Sequence, residues 1–158
     1  MLIIKSAKLI QEHIEKLRMR GICIGFVPTM GALHEGHISI IRQSKHEQQH
    51  TVASIFVNPT QFNNPSDFEK YPVTVENDIE MLEAAGCDTL FLPEVEEIYP
   101  PDFVKNFYDL GYLETILEGA FRPGHFQGVC LVVERLLRLI PAQVLYLGEK
   151  DYQQLLKT

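Results

Sequence analysis

Apolar residues recur along this chain at two spacings, and the alternation between them divides the sequence into elements. After Ser6, a candidate N-cap, Ala7, Ile10, Ile14 and Leu17 fall on one helical face and Gly21 closes the segment. The run ICIGFV, residues 22–27, is continuously apolar and β-branched with breakers close behind, which predicts a strand buried on both faces. A helical segment follows from near Glu35 or Gly36 to about Gln49, and TVASIFV, residues 51–57, repeats the buried-strand signature before Asn58-Pro59. Val75, Ile79 and Leu82 then mark a helix with Glu76 and Asp78 in its first turn, where acids complement the helix dipole, and Gly86 at its end. DTLFLP, residues 88–93, reads as a third strand. Residues 94–126 are rich in turn formers, with a short strand expected near Val104–Leu110 and a helical turn through Leu113–Leu117. Val129, Val132, Val133, Leu136, Leu137 and Ile140 predict a long amphipathic helix ended by Pro141. VLYLG, residues 144–148, predicts a last buried strand, and the final residues begin a further helix.

Continuously apolar strands that alternate with helices call for a parallel sheet covered on both faces. The expectation is one three-layer, doubly wound α/β domain over residues 1–158, without an internal repeat. In such sheets ligands bind beyond the carboxyl ends of the strands, near a topological switch point.

A chain of 158 residues is long enough to bury roughly 70% of the surface its unfolded form exposes. The formal charge of −7 argues against a broad nucleic-acid surface, since such binding rests on many Lys and Arg contacts to phosphate. It leaves room for a small anion in a locally positive pocket. Cys23, Cys87 and Cys130 are odd in number, far apart and without a C-x-x-C pair, so each is expected to be a small buried hydrophobe. They suit a reducing cytoplasm. No signal peptide is recognisable, and no apolar run approaches the ~20 residues of a membrane span.

The most informative chemistry follows the first buried strand, in PTMGALHEGH. Pro28 has no amide hydrogen, so the strand ladder is expected to loosen there, while Gly31 lets backbone approach a ligand. A helix starting at residues 35–37 offers free amides and a positive dipole end to an anion, and His34 and His37 at that turn can donate hydrogen bonds to phosphate oxygens. Zinc helices usually space their histidines four apart, as in H-E-x-x-H, and no third ligand lies nearby. His13, His46 and His50 lack such a context and read as surface residues. NPTQF, residues 58–62, reads either as a plain turn or as a polar pocket for a hydroxyl or carboxylate. RPGHFQGV, residues 122–129, leaves Arg122 and His125 available either to anions or to structure. In GEKDYQQ, Lys150 can meet a phosphate and Asp151 can accept from ribose hydroxyls.

Taken in order, FVPTMGALHEGH, SIFVNPTQF, YPVTVENDIEML, LEGAFRPGHFQGV and LGEKDYQQL resemble the pantoate–β-alanine ligase family over essentially the whole chain. H-x-G-H alone is shared by many nucleotidyl transferases; the series of blocks is specific. The resemblance implies a Rossmann-like ATP-dependent ligase in which pantoate is activated as an adenylate and then captured by the amine of β-alanine. It implies that His34, His37 and Lys150 stabilise charge on the ATP phosphates, that Met30 and Gly31 contact nucleotide and pantoate through backbone, and that Gly148 and Asp151 hold the ribose. It further assigns Gln61 and Gln154 to pantoate, Pro28, Phe62, Val132 and Val133 to the apolar wall of that pocket, and Asn58 to β-alanine or the pantoyl group. Magnesium is expected with ATP, with Asp78 near it, and a homodimer is expected. The chain departs from the family's usual Arg at Val73 and Gln127 and its usual Thr at Leu131. Family members continue into a signature loop and a C-terminal lid domain, so an N-terminal fragment with little activity of its own is expected. The competing expectations are another adenylyl or cytidylyl transferase of the same superfamily, and a non-catalytic nucleotide-binding module.

Overall fold

The structure is a computed structural model that describes residues 1–62, 71–111 and 124–148. Among these residues five strands form one sheet: β1 (Leu2–Ile4), β2 (Ile24–Thr29), β3 (His50–Ile55), β4 (Thr89–Phe91) and β5 (Val144–Leu145). Their order is β1-β4-β3-β2-β5, and every pair is parallel. The helices are α1 (Ala7–Met19), α2 (Glu35–Glu47), α3 (Val75–Ala84), the short α4 (Val95–Ile98) and α5 (His125–Leu139), with a 3-10 turn at Pro59–Gln61.

Strand side chains alternate between two apolar layers, which is what continuous apolar runs provide. Phe26, Val52 and Phe91 face one side, where Ile10 and Ile14 of α1, Ile98 of α4, and Val132 and Leu136 of α5 cover them. Val27, Ala53 and Leu90 face the other, under Ile41 of α2 and Leu82 of α3. This is the three-layer α/β/α arrangement that the pattern predicts. From β2 the chain winds outward through β3 to β4, then returns to add β5 on the opposite side of β2. The switch point therefore lies between β2 and β5.

Several expectations are corrected. The apolar pattern does not predict β1; its three residues are too few to show a period, and its pairing of Ile4 with Phe91 makes it a strand. β2 begins and ends two residues later than the apolar run, because Pro28 and Thr29 stay paired with Ser54 and Ile55. The missing amide of Pro28 costs nothing on that side: residues 24 and 26 bond toward β5, and β5 pairs only as far as Phe26. Residues 104–110 form no strand. Ser6 makes no side-chain cap; the Ala7 amide instead donates to Oε2 of Glu97 at 2.6 Å. Cys87 is buried, which pushes its thiol up to about 11, whereas Cys23 is exposed and Cys130 half-buried. The expected turn at 113–117 and the helix at the chain's end lie outside the described residues.

Candidate functional site

A cavity of about 690 Å³ opens at the switch point. Its floor is the end of β2 and the turn after it, Pro28 to Ala32; Leu147 and Gly148 approach from beyond β5, and Val129, Val132 and Val133 of α5 form an apolar wall. This position, outside the carboxyl ends of the strands, is where doubly wound sheets place ligands.

His34 and His37 line the cavity at the start of α2, with ring centroids 4.1 Å apart. His34 is the N-cap, and its Nδ1 accepts from the Gly36 amide at 3.1 Å. The His34 amide in turn donates to Nδ1 of His37 at 3.3 Å. The pair thus forms a capping box in which imidazoles replace the usual hydroxyl and carboxylate. Because each Nδ1 is the acceptor, each neutral ring carries its hydrogen on Nε2. Two N–H donors and a helix N-terminus therefore meet at one wall of the cavity, an arrangement suited to a polyphosphate. Gly36 is required for it: a Cβ there would come within 2.8 Å of His34 Cε1.

Across the cavity, Gln61 is 7% exposed and donates through Nε2 to the Met30 sulfur at 2.8 Å. Its side-chain oxygen accepts from Asn58 Nδ2 at 3.2 Å. His125 Nδ1 lies 2.8 Å from the Gln61 carbonyl oxygen, so this histidine, open in the sequence to anions or to structure, contacts the backbone of the 3-10 turn. Tyr71 also lines the cavity; burial, and then the charge of Asp78, push its phenol up, so it remains a neutral donor.

Most of the sequence-derived site residues converge here. Pro28, Met30, Gly31, His34, His37, Gln61, Val132, Val133 and Gly148 all line the cavity, while Lys150, Asp151, Gln154 and Arg122 lie outside the described residues. Two of the assigned residues stand outside the lining. Asn58 is 1% exposed and does not line the cavity. Its Nδ2 donates to the Gly128 carbonyl at 2.9 Å and to Gln61, and its Oδ1 accepts from Thr60 and from the Tyr99 hydroxyl at 3.0 Å. Asn58 therefore anchors Gln61. Asp78 is likewise 1% exposed and absent from the lining. Its oxygens accept from the Ala32 and Leu33 amides and the Thr74 hydroxyl. Among the described residues no cluster of three or more His, Cys, Asp or Glu could hold a metal. Phe62 packs edge-on against Tyr71 and is not itself in the wall.

The sequence reading passed over Phe56, Tyr71 and Tyr146, which also line the cavity. Phe56 carried a signal, since it sits near the carboxyl end of a predicted strand, whereas Tyr146 falls in the middle of one. Tyr71 carried none. Where family departures fall within the described residues, Val73 is 75% exposed and Leu131 is buried. Gln127 holds the Tyr108 backbone, accepting from its amide at 3.1 Å and donating to its carbonyl at 2.6 Å.

The model of a family described as pantoate-beta-alanine ligase matches residues 2–157. A pantothenate synthetase of Cytophaga hutchinsonii is 51% identical over 154 residues, 98% of this chain and 54% of that protein. One from Dehalococcoides mccartyi is 56% identical over 139 residues, 87% of this chain and 52% of that protein. Among solved structures, pantothenate synthetase from Thermus thermophilus superposes with a TM-score of 0.91 at 44% identity, covering 99% of this chain and 55% of that one. Pantoate-beta-alanine ligase from Francisella tularensis, complexed with beta-gamma ATP and beta-alanine, superposes with a TM-score of 0.93 at 46% identity, covering 99% of this chain and 59% of that one. The chain spans about half the length of the curated relatives it matches.

Proposed function

This chain belongs to the pantoate-beta-alanine ligase family, and from that premise we propose that it is the ATP- and pantoate-binding domain of a ligase that joins pantoate to β-alanine. The observation that carries the reading is the pair of Nε2–H donors from His34 and His37 at a helix N-terminus, facing a buried glutamine and an apolar wall across one cavity. The histidines hold the triphosphate, and Gln61 with Pro28, Met30, Val132 and Val133 holds pantoate, a small acid with a branched apolar body. ATP and β-alanine, the ligands named for the Francisella tularensis complex, are the partners this implies.

A pantoate carboxylate oxygen attacks the α-phosphorus; the bond to the bridging oxygen breaks and pyrophosphate departs with the electron pair. The amine of β-alanine then attacks the acyl carbon, the bond to the phosphate oxygen breaks, and AMP leaves as the amine loses a proton. Activation is needed because a carboxylate offers an amine no adequate leaving group. Positioning and charge stabilisation therefore supply the catalysis. The two imidazoles donate to phosphate oxygens as negative charge builds there. Bound together with ATP, magnesium would supply charge neutralisation at the phosphates; among the described residues no cluster of three or more His, Cys, Asp or Glu would hold it. The resemblance adds Lys150 to the phosphates, Gly148 and Asp151 to the ribose, and Gln154 to pantoate.

On this reading residues 1–158 are one domain of a longer enzyme whose lid domain closes the ATP site and excludes water. A cytoplasmic homodimer completes the proposal. None of the described helices is long and apolar enough to cross a membrane. The test is pyrophosphate release by the full-length enzyme. Release should require pantoate, and His34→Ala or His37→Ala should lower turnover by roughly 100-fold or more, the usual cost of losing an oriented charge-stabilising donor. Release without pantoate would point to another nucleotidyl transferase; unchanged turnover in both variants would point to a non-catalytic module.

A further inference from the structure

We propose that Asp78 is a positioning residue, which reaches from α3 to fix the turn between β2 and α2 and thereby aims the two imidazoles into the cavity. The inference rests on the reading of that cavity as the nucleotide site. β2 ends at Thr29 and α2 begins at Glu35, so the chain must reverse within a few residues. It does so through two consecutive left-handed residues, Gly31 at φ 80° and Ala32 at φ 50°. Glycine takes this conformation freely, but for alanine it costs roughly 1–2 kcal/mol. Ala32 is the one non-glycine residue with positive φ among those described.

Such strain persists only where the surroundings over-determine it. Here the amides of Gly31, Ala32 and Leu33 each have a side-chain acceptor. The Gly31 amide donates to Thr29 Oγ1 at 3.2 Å, Ala32 to Asp78 Oδ2 at 2.9 Å, and Leu33 to Asp78 Oδ1 at 2.8 Å. Thr29 Oγ1 is itself pinned, donating to the Ser54 carbonyl at 2.8 Å. The Thr74 hydroxyl, placed to cap α3, makes no cap bond and donates instead to Asp78 Oδ1 at 3.1 Å. The network thus serves the turn at the expense of its own helix. A carboxylate at 1% exposure would be costly without partners, and these donors offset that cost. Asp78 Oδ2 also lies 3.1 Å from where a Gly31 Cβ would stand, so its close approach suits a glycine at that position. His34 is the next residue after Leu33, and any relaxation of the turn moves its ring.

Asp78→Asn replaces one acceptor oxygen with an NH2 that faces an amide donor. In the full-length enzyme, kcat for pantoate-dependent pyrophosphate release is expected to fall on the order of 100-fold, the usual cost of about 1 Å of misplacement. The magnesium concentration giving half-maximal rate should stay unchanged. Adding Ala32→Gly should return roughly tenfold of the loss, because glycine holds the left-handed turn without strain. An unchanged kcat, a raised magnesium requirement, or no recovery on adding Ala32→Gly would each overturn the proposal. Should Asp78→Asn fail to fold by circular dichroism, Thr74→Val removes one donor bond instead. A severalfold loss recovered by Ala32→Gly then supports the proposal, and wild-type kinetics overturn it. Hydrogen exchange separates the two readings: faster exchange of the Ala32 and Leu33 amides in Asp78→Asn is expected whatever the substrate. Protection equal to wild type would sink the positioning role alone, whereas pyrophosphate release independent of pantoate would sink the functional reading alone.

Discussion

Two histidines far from the cavity share one hydroxyl: His13 Nε2 and His50 Nε2 lie 3.1 and 2.9 Å from Thr89 Oγ1. A hydroxyl has a single hydrogen, so at most one imidazole can accept from it and at least one must donate to it. Burial holds both histidines below their usual value; Lys16 adds to this for His13, while for His50 the pull of Asp88 is opposed by His13 and Lys45. The unfolded chain therefore takes up protons at a pH where the folded chain resists them. The stability contributed by the pair is complete above about pH 6.5 and is lost as pH falls below it. The urea midpoint should drop between pH 7 and pH 5.5, and by less in a His13→Gln, His50→Gln variant; equal pH slopes would refute the account. Sequence reasoning takes these histidines for surface residues, because residues 76 apart share no periodicity. His34 and His37 are legible, since their spacing, the glycines and the helix start are all local.

At the scale of elements, the 3-10 turn is joined to α5 through one amide. Asn58 ties the Gly128 carbonyl, Gln61, Thr60 and the Tyr99 hydroxyl together, and burial pushes the Tyr99 phenol up to about 12, so it stays a donor. Asn58→Ala leaves several buried groups without partners and should cost about 2–3 kcal/mol in urea unfolding. It should also raise KM for pantoate more than KM for ATP, because Gln61 loses its anchor. A loss under about 0.5 kcal/mol with unchanged KM values would contradict this role. The helices are legible from their spacing: Ile10, Ile14 and Leu17 of α1, Leu82 of α3, and Val129, Val132 and Leu136 of α5 are buried, while Val75, Ile79, Val133 and Leu137 are half-buried. Residues 104–110 mislead because Val104, Phe107 and Tyr108 are residue types that favour strands. Gln127 supplies the donor and acceptor that a neighbouring strand would have offered to Tyr108, so the segment lies along α5 outside the sheet. A further clip joins the Tyr108 hydroxyl and Asn106 to Glu134, whose carboxyl these bonds hold down at about 2.

At the scale of the whole molecule, strand order decides where chemistry can occur, and no local pattern reveals order. Alternation of apolar strands and helices yields the layers, but the return of β5 beside β2 brings residues more than a hundred positions apart into one cavity. That juxtaposition puts the two histidines and the apolar wall of α5 in a single cavity. Its proposed consequence is an acyl-adenylate route, and the fate of one oxygen atom tests it. When the full-length enzyme is supplied with pantoate labelled with 18O in the carboxylate, ATP and β-alanine, one labelled oxygen should appear in the phosphate of AMP. Unlabelled AMP formed alongside pantothenate would contradict attack by the carboxylate on the α-phosphorus, and with it the central claim.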